Sequence, residues 1–170
     1  RIVLCRLKNS ENNWDGGKRC RLLRHLNERF NLFWSNELSR KILLCLGDTS
    51  LVGGIEKYNR NLVEALDLND AQFEVVWRRP GGFLAKASFS LEIFYKLVRG
   101  RFHHAHLGHI NFAPLAKLFS LFGVPFSVSV YGIDIFQNTN ATKEDCLFKA
   151  SMVVDISDYT TERLIEGYPF

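Results

Sequence analysis

The chain has 170 residues, 46% of them hydrophobic and 24% charged, and carries a formal net charge of +4. That length supports one domain with a sizeable core but not two full-sized ones, and the composition is that of an ordinary soluble globular protein. No apolar run approaches the roughly 18 residues of a membrane span, and no signal peptide is visible.

In chain order, strand-like apolar runs occupy residues 1–7, 41–47, 73–77, 103–107, 125–132 and 151–157. Several are continuously apolar instead of alternating, as strands are when both faces of a parallel sheet are covered. Between them lie segments of helical period. Ile55, Tyr58, Leu62 and Leu66 form one stripe, and Leu91, Phe94, Tyr95 and Val98 lie on one side of "SLEIFYKLVRGRF". "FAPLAKLFSLF" is apolar nearly all round, and Ser157 is placed to cap a helix over 157–167. Strands alternating with helices predict a doubly wound α/β domain with a mostly parallel sheet. One internal echo appears. Residues 1–30 and 41–67 both read strand, polar loop, Gly-Gly, cation-bearing helix. Residues 1–40 are therefore expected to form an added or duplicated basic unit, with the main domain over 41–170.

The positive charge is uneven. Residues 1–41 hold ten Lys/Arg against four Asp/Glu, and the remainder hold twelve against fourteen. "KRCRLLRHLNERF" brings together Lys18, Arg21, Arg24 and His25, a candidate contact for anionic lipid headgroups or an acidic acceptor, with a solvated cationic face as the alternative. "FYKLVRGRF" is a second, weaker candidate of this kind. No nucleic-acid partner is expected, because the charge is local and no binding motif accompanies it. Four cysteines lie far apart without a C-x-x-C pair. Cys5 and Cys45 fall in apolar runs as buried hydrophobes, which points to a reducing compartment. Asn140-Ala141-Thr142 fits a glycosylation sequon without other support for secretion.

The stretch "GDTSLVGGIEKYNRNLVEAL" sets Gly53 and Gly54 between a strand and an amphipathic helix. Paired glycines there permit φ > 0 and remove the Cβ atoms that would block a ligand, and the following helix aims its free N–H groups at the same space. This is an anion site in physical terms, most often for phosphate; a tight turn with close helix packing is the alternative. The pattern is neither G-x-G-x-x-G nor a P-loop, so nothing points to NAD or to a P-loop kinase. His103, His104, His106 and His109 cluster within seven positions, with His104 and His106 on one strand face. No acidic or cysteine support lies close by, so no metal is expected.

With "FHHAHLGHINF", "VSVYGIDIF" and "VVDISDYTTERL", the glycine stretch resembles the N-terminal half of glycosyltransferase family 4 enzymes of GT-B architecture over about residues 41–167. That family carries G-G-x-E-[RK], a strand ending H-x-H, a strand ending H-G-x-D, and S-x-x-[TS] at a helix start, in this order. The resemblance implies a Rossmann-like domain and sugar transfer from a nucleotide-sugar, UDP- or GDP-linked, with retention and no essential metal or other cofactor. It implies that Gly53, Gly54 and Glu56 approach the donor diphosphate or sugar and that His106 and His109 line the acceptor cleft. It makes Tyr131 and Asp134 the catalytic positions, with Tyr131 standing where the family has His. A phenol donates one hydrogen bond but is no proton shuttle at neutral pH. The alternatives are a solvated helix surface for Glu56 and Lys57, a turn or cap for Asp134, a cap for Ser157, and plain structural roles for the histidines. The implied partners are a glycan or lipid-linked acceptor, an anionic membrane at its cytoplasmic face, and a C-terminal nucleotide-binding domain lying beyond this chain, without which it would be inactive. A non-catalytic sugar- or partner-binding module is the alternative function.

Overall fold

A computed structural model describes the backbone of residues 3–6 and, with side chains, almost all of residues 41–47, 53–68, 70–132, 140–155 and 157–167. Six described strands are β1 (Val3–Arg6), β2 (Ile42–Gly47), β3 (Phe73–Arg78), β4 (His104–Leu107), β5 (Phe126–Val130) and β6 (Met152–Asp155). The described helices are α1 (Gly54–Asp67), α2 (Phe83–Arg99), a 3₁₀ turn (Ile110–Leu115) running into α3 (Ala116–Leu121), α4 (Ala141–Lys149) and α5 (Asp158–Gly167). The strands form one sheet in the order β1-β6-β5-β4-β2-β3, and every pairing is parallel. The protein is therefore α/β, as the alternating pattern predicts.

The continuous apolar runs are explained by two separate clusters. Leu43, Cys45, Ala105, Leu107, Val128 and Val153 face a cluster that includes Phe89, Ile93 and Leu97 of α2 and Phe119 of α3. Ile42, Leu44, Leu46, Met152 and Val154 face the other, with Leu62 and Leu66 of α1. Because successive side chains on a strand point to opposite faces, β2 needs apolar residues at every position, and its residues 42–46 are all buried.

Strand order marks where such a sheet would place a crevice. From β2 the chain steps outward to β3, then crosses back over β2 to reach β4, and continues to β5 and β6 on that side. The direction reverses between β2 and β4. In open parallel sheets the connections leaving such a pair diverge and open a crevice at the carboxyl ends of the strands.

Two details differ from the sequence reading. Leu91, Phe94, Tyr95 and Val98 are 66%, 44%, 54% and 59% exposed, whereas Phe89, Ile93 and Leu97 are buried. The helix is apolar on two sides, and i, i+4 spacing alone does not say which side packs. Helix α4 carries only a short apolar pattern and was not anticipated. Its start is signalled by Asn140, whose side-chain oxygen accepts a hydrogen bond from the Lys143 N–H at 3.0 Å, a cap at the position read as a sequon. Lys18, Arg21, Arg24 and His25 lie outside the described residues, as does the rest of the basic unit beyond β1.

Candidate functional site

Four segments meet at the carboxyl edge: the start of α1 after β2, the end of β3, the turn after β4, and the end of β5. Gly53 is the N-cap of α1 and has no side chain to cap it. Its carbonyl accepts the first helical bond, from Lys57 N–H at 3.1 Å. The amides of Gly54, Ile55 and Glu56 precede any intrahelical acceptor, and first-turn N–H groups of this kind suit an anion.

The glycines do not serve the purpose expected of them locally. Gly53 has φ −140°, ordinary extended backbone, and the glycines of positive φ among the described residues are Gly81 (φ 144°) and Gly123 (φ 64°). A Cβ on Gly54 would meet nothing within 4 Å among the described residues. Neither turn geometry nor packing excludes a side chain at Gly54, so what remains is the open space above bare main chain. Beside Gly53 that space is partly filled by the carboxylate of Glu56, which folds back against it. An acid in the first turn is favourable at the positive end of the helix dipole, and here it stands where an anion would approach.

On the β4 side, Gly108 is glycine for a packing reason. A Cβ there would sit 2.6 Å from Leu46 Cδ2 and 3.1 Å from Asn59 Oδ1, so α1 closes onto the strand end only because the atom is missing. His109 follows, half-buried, and its Nδ1 accepts from Asn111 N–H at 3.0 Å. A neutral ring with that acceptor carries its proton on Nε2. The His109 ring lies 5.3 Å from that of Tyr131 and 6.2 Å from that of Phe112, and Tyr131 meets Tyr58 of α1 edge-on at 6.2 Å. Arg78, the last residue of β3, completes the row with its guanidinium 6.0 Å from the Phe112 ring.

Tyr131 is 6% exposed, and its hydroxyl donates to the Gly108 carbonyl at 3.2 Å. The phenol thus ties the ends of β4 and β5 together. Asp134 lies outside the described residues. Ser157 acts as the cap of α5: its Oγ accepts from Thr160 N–H at 3.2 Å, and the Thr161 hydroxyl donates to Asp155 Oδ1 at 2.8 Å.

His106 sits elsewhere. It is 2% exposed within the sheet, with Nδ1 2.8 Å from Ser127 Oγ and Nε2 3.2 Å from Ser129 Oγ. His104, also 2% exposed, places Nε2 3.0 Å from Ser127 Oγ. The shared partner confirms that both rings occupy one strand face. These contacts form one chain that runs in either direction: His104 Nε2–H to Ser127, Ser127 to His106 Nδ1 and His106 Nε2–H to Ser129, or the reverse with the other tautomers. Burial pushes His104 down to about 3, with the neighbouring His106 adding to the effect, and pushes His106 down to about 4. Both rings are neutral at pH 7. With its nitrogens engaged in the interior, His106 is a core residue in this structure, and His109, half-buried beside Tyr131, is the histidine at the carboxyl edge.

Arg78, Asn59, Gly108 and Phe112 were not among the site residues expected from the sequence. Asn59 was findable, being a polar residue on the face of α1 that also carries Ile55, Leu62 and Leu66. Among the described residues no three His, Cys, Asp or Glu side chains converge as a metal site would require, and no helix is long and apolar enough to cross a membrane. Comparison with protein-family models, with curated proteins and with solved structures finds no match to this chain.

Proposed function

We propose that this chain is the Rossmann-like, doubly wound, acceptor-side domain of a retaining glycosyltransferase of GT-B type, supplying one wall of a nucleotide-sugar site to a second, nucleotide-binding domain. The observation that carries the reading is convergence. Segments far apart in sequence meet at the carboxyl edge where strand direction reverses: Tyr58, one turn into the helix that Gly53-Gly54 opens, and His109 both reach the ring of Tyr131. The bare start of α1 suits a diphosphate, and the aromatic row of Phe112, His109, Tyr131 and Tyr58 suits the apolar face of a sugar ring. His109 Nε2–H is the group we assign to an acceptor or sugar hydroxyl. The acceptor is a glycan or a lipid-linked saccharide, and the work is done at the cytoplasmic face of a membrane.

The test uses the polypeptide of the whole reading frame, offered UDP- and GDP-sugars with polyol and lipid-linked acceptors, and reads the product anomer by NMR. Retention of configuration is expected; inversion or no transfer to any acceptor would contradict the proposal. Turnover by the 170-residue chain alone would also contradict it. One observation favours the second reading, a non-catalytic sugar- or partner-binding module: the Tyr131 hydroxyl is committed to Gly108. Binding of sugar nucleotide without transfer is the outcome that reading expects.

A further inference from the structure

At the carboxyl ends of β2 and β3 stand two polar side chains that have no partner among the described residues. Asn59 is 0% exposed, and among the described residues neither its Nδ2 nor its Oδ1 makes a hydrogen bond. It projects from α1 toward both strand ends: a Cβ on Gly47 would lie 3.7 Å from Nδ2, and one on Gly108 3.1 Å from Oδ1. A buried amide without partners costs roughly 1–3 kcal/mol, and an apolar residue of similar shape would avoid that. The second group is Arg78. Its Nε is buried without a partner, and among the described residues the guanidinium makes no ion pair or hydrogen bond, only its contact with Phe112. A half-buried arginine without an acid is uncommon, because its planar fork matches a carboxylate or phosphate.

These residues come from opposite sides of the sheet. Asn59 belongs to α1, which packs with the Leu44 and Leu46 face, and Phe112 beneath Arg78 belongs to the Leu43 and Cys45 face. Both stand at the carboxyl end of β2: Gly47, beside Asn59 Nδ2, is the register partner of Arg78. We propose that Asn59 and Arg78 are ligand-binding residues for a phosphorylated polyhydroxy compound, such as a sugar phosphate. Arg78, which offers donors only, takes a phosphate oxygen together with the α1 amides. Asn59, which offers a donor and an acceptor side by side, takes a hydroxyl, which can use both. Glu56 must swing away from Gly53 as the anion enters. The inference rests on the reading of this edge as an anion site, and the phosphate belongs either to a donor diphosphate or to a phosphorylated acceptor.

The experiment is calorimetric titration of the whole chain at low salt with glucose 1-phosphate and with inorganic pyrophosphate. Asn59→Leu should raise the thermal midpoint, since it removes an unsatisfied amide, yet weaken glucose 1-phosphate about 10-fold and pyrophosphate little. Arg78→Met should weaken both probes about 10-fold, equivalent to about 1.4 kcal/mol, with Arg78→Lys recovering part of the loss. Competition by UDP assigns the phosphate to the donor, and competition by glycerol 3-phosphate assigns it to the acceptor. Wild-type affinity in both Asn59→Leu and Arg78→Met, or no binding by the wild type, would overturn the proposal. Sound binding with no sugar transfer by the full reading frame would count against the glycosyltransferase reading and leave this site standing.

Discussion

Two glycines at the same edge serve opposite purposes, and substitution separates them. At Gly108 a methyl would press on Leu46 and Asn59, so Gly108→Ala should destabilise the fold by about 1–3 kcal/mol, read as a lower urea midpoint. At Gly54 an added Cβ would meet nothing within 4 Å among the described residues, so Gly54→Ala should leave stability unchanged or raise it by up to about 1 kcal/mol. If bare main chain is kept there for a ligand, the same variant should bind pyrophosphate several-fold more weakly; unchanged binding would make Gly54 an ordinary helix residue. The buried histidines give a second prediction. His104 and His106 remain neutral down to about pH 3 and 4, while the unfolded chain protonates them near 6.5. The unfolded state therefore takes up protons first as pH falls. Stability is full above about pH 6.5 and drops by about 2 kcal/mol per histidine by pH 5. The His104→Gln, His106→Gln double variant should lose much of that slope in urea unfolding at pH 7 and pH 5. An equal slope would mean that the rings are solvated or charged in the folded protein.

At the scale of elements, strand runs were legible because a parallel strand buried on both faces needs an unbroken apolar run; all six described strands fall within the expected spans, give or take a residue. Helix faces were less legible. In α2 the sequence offers two apolar stripes, and only tertiary packing against β3 and the 3₁₀ turn selects Phe89, Ile93 and Leu97. Glu74 of β3 anchors this choice from the polar side, paired with both Lys41 and Lys96, which hold its carboxyl below the usual carboxylate range. The unselected stripe remains outside: Leu84, Leu91, Tyr95 and Val98 are exposed, beside exposed Lys86, Arg99 and Arg101. An apolar stripe flanked by cations fits an anionic lipid surface. A Leu84→Ser, Leu91→Ser variant should pellet with phosphatidylglycerol vesicles several-fold less than the wild type at unchanged thermal midpoint. Equal pelleting would assign the stripe no role at a membrane.

For the whole molecule, the candidate site was legible in part. The paired glycines, His109 and Tyr131 could be named from their motifs, and the order of strands brings them to one edge. His106 was misjudged because its neighbours in space, Ser127 and Ser129, come from the next strand, and sequence spacing does not reveal a cross-strand partner. Asn59 and Arg78 were missed for a related reason. Their significance lies in having no partner, which only packing can show.

In the function proposed here, the carboxyl edge between β2 and β4 receives a phosphate-bearing ligand. The most direct measurement is amide chemical-shift mapping of the ¹⁵N-labelled chain during titration with pyrophosphate. Saturating shifts at Gly54, Ile55, Glu56, Gly108 and His109, with little change at α4 or α5, are predicted. A titration that leaves these amides in place, or whose shifts gather on exposed lysines elsewhere, would contradict it.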